Sequence, residues 1–208
     1  MTNNKSHAHI MVDLETMSTQ ANALILSIGA CCFYLSGEVK ELPDSRVFYQ
    51  VLNYEQQDKQ YLTHVESRTR EWWNNQPAEA KKVIPEAKNQ NLGLTLGVQQ
   101  FTDWLEAFKL DGYEPLIYGN GAAFDNAILK SLYDDLELPL PWSYKTDICY
   151  RTLKAMHGYK VDWSKVKRQG TYHNALDDAK VQASVLKLML EPEELYLLAV
   201  GAFQNEVR

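Results

Sequence analysis

Runs of apolar residues in the first part of the chain predict three β-strands. Residues 10–15 are apolar apart from two acids, residues 23–34 are almost wholly apolar, and residues 46–51 mix β-branched and aromatic side chains. Apolar runs of this length between polar segments are typical of buried strands. Turn residues at Ser36–Gly37 and Pro43–Asp44 separate the second run from the third, so we expect an antiparallel meander.

In the rest of the chain, apolar positions follow a helical period and short strands lie between them. Apolar residues recur every three or four positions from Leu94 to Phe108 and from Leu176 to Leu190, as in amphipathic helices. Two further strands are predicted at 115–118 and 144–147. The predicted helices lie at about 71–75, 94–108, 122–136 and 174–190, and one more ends near Met156. This order predicts an α/β fold with three antiparallel strands, then parallel strands, and helices on both faces. It is the coarse plan of a ribonuclease H-like mixed sheet.

Composition is that of a globular protein of ordinary size. The chain has 208 residues, 45% of them hydrophobic and 23% charged, which argues against disorder, collagen and coiled coil. We expect a single domain over 1–208, with a core over about 8–192 and a C-terminal extension over 193–208. No apolar stretch approaches the ~18 residues of a membrane span, and Met1–His9 lacks the hydrophobic region of a secretory signal. We therefore expect a cytoplasmic protein with no membrane partner.

Cysteine content and net charge exclude two further classes of protein. Cys31, Cys32 and Cys149 make an odd count, and adjacent residues in a strand point to opposite faces. A disulfide framework or a cysteine metal site is therefore not predicted, and we expect three buried, reduced thiols. The formal net charge of −6 argues against a protein that coats nucleic acid without specificity.

The first predicted strand carries two acids on one face. Asp13 and Glu15 lie two positions apart, so their side chains leave a strand in the same direction. Burying unpaired carboxylates costs several kcal/mol each, so a central strand would favour a divalent cation between them. The alternative is an exposed edge strand with solvated acids. The spacing alone is weak, because it recurs at Asp135 and Glu137 at a predicted helix end.

A histidine and an aspartate five residues apart precede and open the last helix. The same spacing at His157 and Asp162 leads into no helical pattern, whereas His173 and Asp178 run into the strongest one. Five residues correspond to about 140° around a helix, so these two side chains converge only if His173 precedes the helix. The structural alternative is equally open, because 174–177 resembles a capping box and acids favour the positive end of a helix dipole.

Together, the acids and the histidine resemble the DnaQ-like family of 3′→5′ exonucleases, in the DEDDh branch with four acids and a histidine. A further acid, Asp125, follows the strand predicted at 115–118. The three motifs of the family occur in order at Val12–Thr16, Asn120–Asp125 and His173–Asp178. The resemblance extends from about residue 10 to residue 190, and it looks closest to phage and prophage exodeoxyribonucleases and the ribonuclease T-like group.

The resemblance implies a two-metal hydrolysis of phosphodiester bonds at single-stranded 3′ ends, which releases nucleoside 5′-monophosphates. It implies two Mg²⁺ or Mn²⁺ ions, with Asp13 bridging both. Glu15 and Asp178 would complete the ligation of one ion, Asp125 would support the other, and His173 would act as general base. Two such cations stabilise the attacking and leaving oxygens of an in-line displacement, and histidine is suited to proton transfer near neutral pH.

The resemblance also implies contacts with the terminal nucleotide. The candidates for these contacts are Thr16, Met17, Asn120, Phe124 and Trp73. Phe124 has a core position as its alternative, because it begins a predicted amphipathic helix. Trp72 and Trp73 point about 100° apart on a helix, so one is expected in the core and the other against a base.

A basic segment follows the predicted strand at 144–147. Residues 145–170 carry seven basic residues against Asp147 and Asp162, a local net charge of +5. We interpret this segment as a flank that guides the phosphate backbone, with Lys165, Lys167 and Arg168 as its candidates and exposed aromatic residues for base stacking. A solvated loop is the equal alternative.

Three functional hypotheses follow. The first is a 3′→5′ exonuclease acting on single strands, with DNA slightly favoured over RNA. The second is a ribonuclease T-like enzyme that trims RNA. The third is a non-catalytic nucleic-acid binding module, against which the pocket of negative charge argues. By analogy with the family, a homodimer is a further expectation.

Overall fold

A mixed sheet of five strands forms the centre of the molecule. The structure is a computed structural model and describes residues 6–33, 46–61, 63–168 and 170–190, apart from the side chains of Ser6 and Lys165. The strands are β1 Ser6–Thr16, β2 Ile25–Phe33, β3 Val47–Val51, β4 Tyr113–Gly119 and β5 Asp147–Cys149. Their order is β3-β2-β1-β4-β5, with β1 antiparallel to β2 and parallel to β4. The pair β2–β3 is antiparallel and β4–β5 is parallel, which confirms the predicted α/β fold.

Eight α-helices surround the sheet in the described part of the chain. They are α1 Tyr54–Gln60, α2 Ser67–Asn74, α3 Ala78–Lys81, α4 Val83–Lys88, α5 Leu94–Leu110, α6 Ala127–Asp135, α7 Tyr150–His157 and α8 Ala175–Met189. A π-helical turn, Ala122–Asn126, comes before α6. Every helix described is too short or too polar to traverse a lipid bilayer. The turns predicted at 36–37 and 43–44, and the extension predicted over 193–208, lie outside the described residues.

The strand predicted at 144–147 is wrong. Residues Tyr144–Thr146 form a 3₁₀ turn, and β5 begins only at Asp147. Local hydrogen bonds explain the difference, because Ser143 accepts from the backbone N–H of Lys145 and its carbonyl accepts from the backbone and side chain of Thr146. A serine or threonine that bonds its neighbours in this way competes with the ladder of a strand.

The two faces of β1 pack against two different hydrophobic cores. Ile10 and Val12 pack with residues of α5 and α6, including Phe101. Met11 points the other way, towards α7 and α8, and packs with residues such as Leu186. This alternation is the pattern of a strand buried on both faces. It fixes the direction of the acids, because Asp13 and Glu15 share the face of Met11 and therefore point towards α8.

The cysteines divide between these cores, as adjacent residues in a strand must. Cys31 packs on the α8 side and Cys32 on the α5 side, and both are buried free thiols. The prediction of three buried thiols is wrong for Cys149, which is only partly buried. The reason is its place at the end of β5, the strand at the edge of the sheet.

Candidate active site

Asp13 and Glu15 lie near the carboxyl end of β1, in the interior of the sheet. Because β2 and β4 flank this strand, the alternative of a solvated edge strand does not hold. Glu15 is buried and Asp13 is partly buried. The amide of Gln182, on α8, donates a hydrogen bond to Oδ1 of Asp13 at 2.7 Å. Sequence reasoning missed Gln182, although it lies one helical turn after Asp178 and therefore on the same side of α8.

A glycine allows the start of α8 to lie directly on the sheet beside these acids. Gly29 of β2 pairs with Asp13 across the ladder. A Cβ atom at Gly29 would lie 2.1 Å from backbone atoms of Ala175 and Leu176, the first residues of α8. No side chain fits into that space. Because Gly29 has none, the N-terminus of α8 can lie against the sheet beside the acids of β1.

His173 and Asp178 converge on Glu15 at this helix start. Each of the three residues offers a possible metal-ligand atom, and these atoms all lie within 4.8 Å of one another. His173 precedes the helix, as the convergence requires, and its backbone is left-handed at φ 59°. Such a conformation is uncommon for a residue with a side chain and is often found at functional sites.

The structural role of the helix start is fulfilled by neighbouring residues. The side chain of Asn174 caps α8 by accepting from the backbone N–H of Asp177 at 3.1 Å. The carboxylate of Asp177 accepts from the backbone N–H of Thr171 at 2.7 Å. Helix capping and the convergence of His173 and Asp178 on Glu15 are therefore compatible, because Asn174 caps the helix and Asp178 faces Glu15 instead.

Asp125 reaches the same site from the π-helical turn after β4. A glycine again makes the approach possible, since a Cβ atom at Gly119 would lie 3.0 Å from Cβ of Asp125 and 2.2 Å from Oδ1 of Asn126. Asp125 is 1% exposed, and its Oδ2 atom has no hydrogen-bond partner among the described residues. A buried carboxylate oxygen without a partner is costly, and a hard cation is the ligand that it fits.

Burial raises the pKa values of three of these acids. Burial, followed by the charges of Asp125, Glu15 and Asp178, holds the pKa of Asp13 well above its usual range. Burial raises the pKa of Glu15 to about 8, with Asp178 and Asp125 adding to the effect and Arg168 opposing it. Burial also raises the pKa of Asp125 to about 7, against the effect of backbone hydrogen bonds. At neutral pH, the full set of carboxylates therefore needs added positive charge to ionise together.

The three basic residues predicted to bind phosphate differ in their surroundings. Arg168 forms an ion pair with Asp178, donates to the carbonyl oxygen of Thr171 at 2.7 Å, and lies 3.8 Å above the ring centre of Tyr172. Its guanidinium is thus engaged inside the site. Lys167 is exposed, and the side chain of Lys165 lies outside the described part of the structure. Their role in binding substrate stays a prediction.

The two adjacent tryptophans have opposite environments. Trp73 is 1% exposed and its indole N–H donates to the carbonyl oxygen of Thr16 at 2.9 Å. Trp72 is 41% exposed, and its ring system and that of His173 are nearly perpendicular, with 4.7 Å between ring centres. Trp72 therefore presents the larger exposed ring surface to a base, and Trp73 is the core member of the pair. A contact of Trp73 with the terminal nucleotide stays a prediction.

A cleft of about 490 Å³ opens beside Glu15. Its walls are residues of β1, the segment after it, α2 and the π-helical turn: Leu14, Glu15, Thr16, Ser18, Thr19, Glu66, Arg68, Thr69, Trp72, Trp73 and Phe124. Three predicted substrate residues, Thr16, Trp73 and Phe124, are among them. Asn120 is partly buried at the end of β4 and does not line the cleft. Met17 is buried in a core cluster with Trp73 and is also outside the lining, so its side chain has little surface for a nucleotide.

A sheet of this order, with four acids and a histidine meeting at its central strand, defines a nuclease of the ribonuclease H-like fold. The chain belongs to the family of the Rv2179c-like 3′-5′ exoribonuclease domain, whose family model matches residues 8–190. This match confirms the predicted relationship to the 3′→5′ exonucleases.

Known relatives agree with the family and the fold. The exodeoxyribonuclease of Enterobacteria phage T4 is 26% identical over 128 residues, which are 61% of this chain and 56% of that protein. The nuclease domain of 3′hExo, a DEDDh family member solved with rAMP, has a TM-score of 0.55 at 14% identity, covering 97% of this chain and 96% of the other. The Escherichia coli ExoI–ssDNA complex has a TM-score of 0.53 at 14% identity, covering 94% and 43%. At these identities, the two structures are evidence for the fold.

Proposed function

We propose that the protein removes nucleotides one at a time from the 3′ end of a single-stranded nucleic acid. The observation that carries this proposal is the convergence of Asp13, Glu15, Asp125 and Asp178 with His173 beside one open cleft. A group of buried acids that repel one another destabilises the fold, and such groups are typical of functional sites. A non-catalytic binding module would gain nothing from this group, because negative charge repels phosphate.

Two divalent cations, Mg²⁺ or Mn²⁺, are the cofactors that we infer for this site. Asp13 would hold both, Glu15 and Asp178 would hold one, and Asp125 would hold the other through its unpartnered oxygen. An all-oxygen carboxylate set is the donor set that these hard cations prefer. When bound, such cations stabilise the charge that develops on the attacking and leaving oxygens of an in-line displacement.

The residues of the chain itself supply proton transfer and orientation. His173 accepts the proton of the attacking water, whose oxygen forms the new bond to phosphorus while the bond to the 3′ oxygen of the preceding nucleotide breaks. Trp72 restrains the imidazole through its edge contact. Gln182 holds one oxygen of Asp13, which fixes the direction in which the other oxygen points. The product is a nucleoside 5′-monophosphate.

The cleft accommodates the terminal nucleotide. Its volume of about 490 Å³ is in the usual range for small-ligand sites, and it adjoins Glu15 directly. Trp72 and Phe124 offer aromatic surface for the base, and Thr16 lines the same wall. Base stacking of this kind tolerates any sequence, as an exonuclease requires.

RNA is the first candidate substrate and DNA the second. The family that matches residues 8–190 is described as an exoribonuclease domain, which favours RNA. The preference for DNA inferred from the sequence has support from the phage relative, an exodeoxyribonuclease matched over a shorter part of the chain. A competition between RNA and DNA of one sequence decides the order. The cytoplasmic location and the homodimer stay predictions.

One assay tests the proposed function. Single-stranded RNA and DNA carrying a 5′ fluorophore are incubated with Mg²⁺, Mn²⁺ or a chelator, and products are resolved at single-nucleotide resolution. We expect a ladder that shortens from the 3′ end only with metal present. Asp178→Asn should reduce the rate by about 10²-fold or more, since it removes a carboxylate that would hold one of the cations. Asp135→Asn, which changes an exposed acid at the end of α6, is the control. Equal rates for both variants would contradict the assignment of Asp178.

A further inference from the structure

We propose that α7 binds the nucleotides on the 5′ side of the scissile phosphate, through Arg151 and the pair formed by Lys154 and Trp163. The inference rests on the proposed function and identifies where the rest of the single strand lies. The strand order gives the direction. The terminal cleft lies at the end of β1 next to α2, whereas α7 follows β5, at the far side of β4. The acids lie between the two surfaces.

Arg151 lies at the rim of the active site. Cys149 of β5 pairs with Gly119 at the end of β4, and Arg151 follows two residues later in the first turn of α7. A Cβ atom at Gly121 would lie 3.4 Å from the guanidinium carbon of Arg151, so the guanidinium adjoins the loop that leads to Asp125. An exposed guanidinium at such a rim has the geometry and charge to hold a phosphate.

Lys154 and Trp163 continue this surface outwards. Lys154 lies three residues after Arg151, so the two cations share one side of the helix. The ammonium of Lys154 lies 5.1 Å from the ring centre of Trp163, and the indole is 49% exposed. The neighbouring side of α7, about 100° away, is buried through Tyr150 and Leu153. A row of cations next to an exposed aromatic ring is the arrangement by which proteins hold single strands.

The charges around α7 make it the favoured surface for this strand. The chain as a whole carries −6, so a polyanion needs a local basic surface. The acid of the preceding strand, Asp147, is already bound by the side chains of Asn126, Lys130 and Trp142. Arg168, further along the chain, is mostly buried beside Asp178 and therefore belongs to the acidic site itself. Arg151 and Lys154 are exposed.

Kinetics with and without upstream nucleotides test the proposal. The p-nitrophenyl ester of a nucleoside 5′-monophosphate contains the terminal nucleotide and a leaving group but nothing on the 5′ side. For the double variant Arg151→Gln/Lys154→Gln, we expect an unchanged rate with this ester and a KM about 10-fold higher for a single-stranded octamer. The matched control is Lys88→Gln on α4. It removes a lysine whose ammonium lies 5.4 Å from the ring centre of Tyr54 on α1. The control should change neither value.

Binding to the inactive Asp178→Asn background gives a second readout. The salt dependence of octamer affinity, measured by fluorescence anisotropy, should flatten by ~0.7 in slope for each phosphate that the variant no longer neutralises. Trp163→Ala should weaken binding, and Trp163→Phe should retain most of it. An octamer KM and salt slope equal to those of Lys88→Gln would overturn the inference. If the wild-type enzyme cleaved neither the ester nor the octamer, the proposed function would be overturned instead.

Discussion

Trp72 and Trp73 show how one residue step on a helix separates a structural role from a functional one. Adjacent positions differ by about 100° around the axis of α2, so one indole must turn away from the core when the other turns in. Trp73 ties α2 to the end of β1 through its hydrogen bond to Thr16. Trp72 is left at the mouth of the cleft, in contact with His173. Truncation of Trp72 should therefore affect substrate binding, whereas truncation of Trp73 should affect stability.

We expect Trp72→Ala to raise the KM for a single-stranded octamer by about 10-fold, because base stacking on an aromatic residue contributes ~1–3 kcal/mol. Its unfolding free energy should stay close to that of the wild type. Trp73→Ala should lower the unfolding free energy by about 3–5 kcal/mol, as expected for a large buried aromatic residue. Steady-state kinetics and urea denaturation measure the two effects. An unchanged KM in Trp72→Ala, with Trp72→Phe as the conservative control, would contradict the stacking role.

The central residues of the site were predictable from the sequence because three motifs occur together in the order of the DnaQ-like family, although the spacing within each motif is weak evidence alone. The spacing of Asp13 and Glu15 fixes a shared face, and that of His173 and Asp178 fixes a helix start. Other contacts depend on distances that spacing does not encode. The contact between Gln182 and Asp13 joins residues far apart in the chain, and the pairing of Arg168 removes a cation that a charge count treats as available.

At the scale of elements, the contact between β2 and α8 decides whether the site assembles. A Cβ atom at Gly29 would overlap the backbone of α8, which cannot move without shifting His173 and Asp178. Gly29→Ala should lower the unfolding free energy by about 1–3 kcal/mol. It should also reduce kcat by ~10²-fold, the effect of a displacement of about 1 Å at a catalytic group. Urea denaturation and kinetics on the folded fraction test both values.

Gly93→Ala is the matched control for this prediction. A Cβ atom at Gly93 meets no atom within 4 Å, so this variant should lose less than about 1 kcal/mol, the usual scale of a change at a helix cap. Its kcat should not change. If Gly29→Ala behaved like Gly93→Ala, the close packing of α8 on β2 would not be what positions the site.

Elements with strong apolar patterns were predictable, and elements held by polar contacts were not. The long runs of β1, β2, α5 and α8 have a clear period that burial requires. Helix α1 has a polar sequence, and its position depends on Gln57, whose side chain bonds the backbone N–H and carbonyl of Ile25 at 2.9 and 2.8 Å. A side chain that replaces a strand partner in this way has no signature in the apolar pattern.

At the scale of the whole molecule, the fold concentrates acids at one end of its central strand. The free energy of this arrangement depends on pH, because the folded state resists ionisation of Glu15 and Asp125 and the unfolded chain does not. His9 acts in the opposite direction, because burial lowers its pKa to about 4. Its contribution to stability is lost as the pH falls below 6.5, the ordinary pKa of histidine. Above about pH 6.5, histidine is neutral in the folded state and more than half neutral in the unfolded chain, so the effect of the acids is the larger one.

The stability of the metal-free protein should therefore fall between pH 6.5 and 8. In this range, the unfolded chain has already lost these protons, while the native state retains part of them because the pKa values of Asp125 and Glu15 are about 7 and 8. Retained protons mean that stability present at low pH is lost as the pH rises, by ~1–2 kcal/mol over this range.

Glu15→Gln should flatten this dependence of stability on pH. Mn²⁺ should reverse it, because the cation binds the ionised acids of the native state alone. Thermal unfolding in chelator and in Mn²⁺ at both pH values measures this, with the exposed Glu137→Gln as control. A stability in chelator that rises with pH would mean that these acids do not share one buried site.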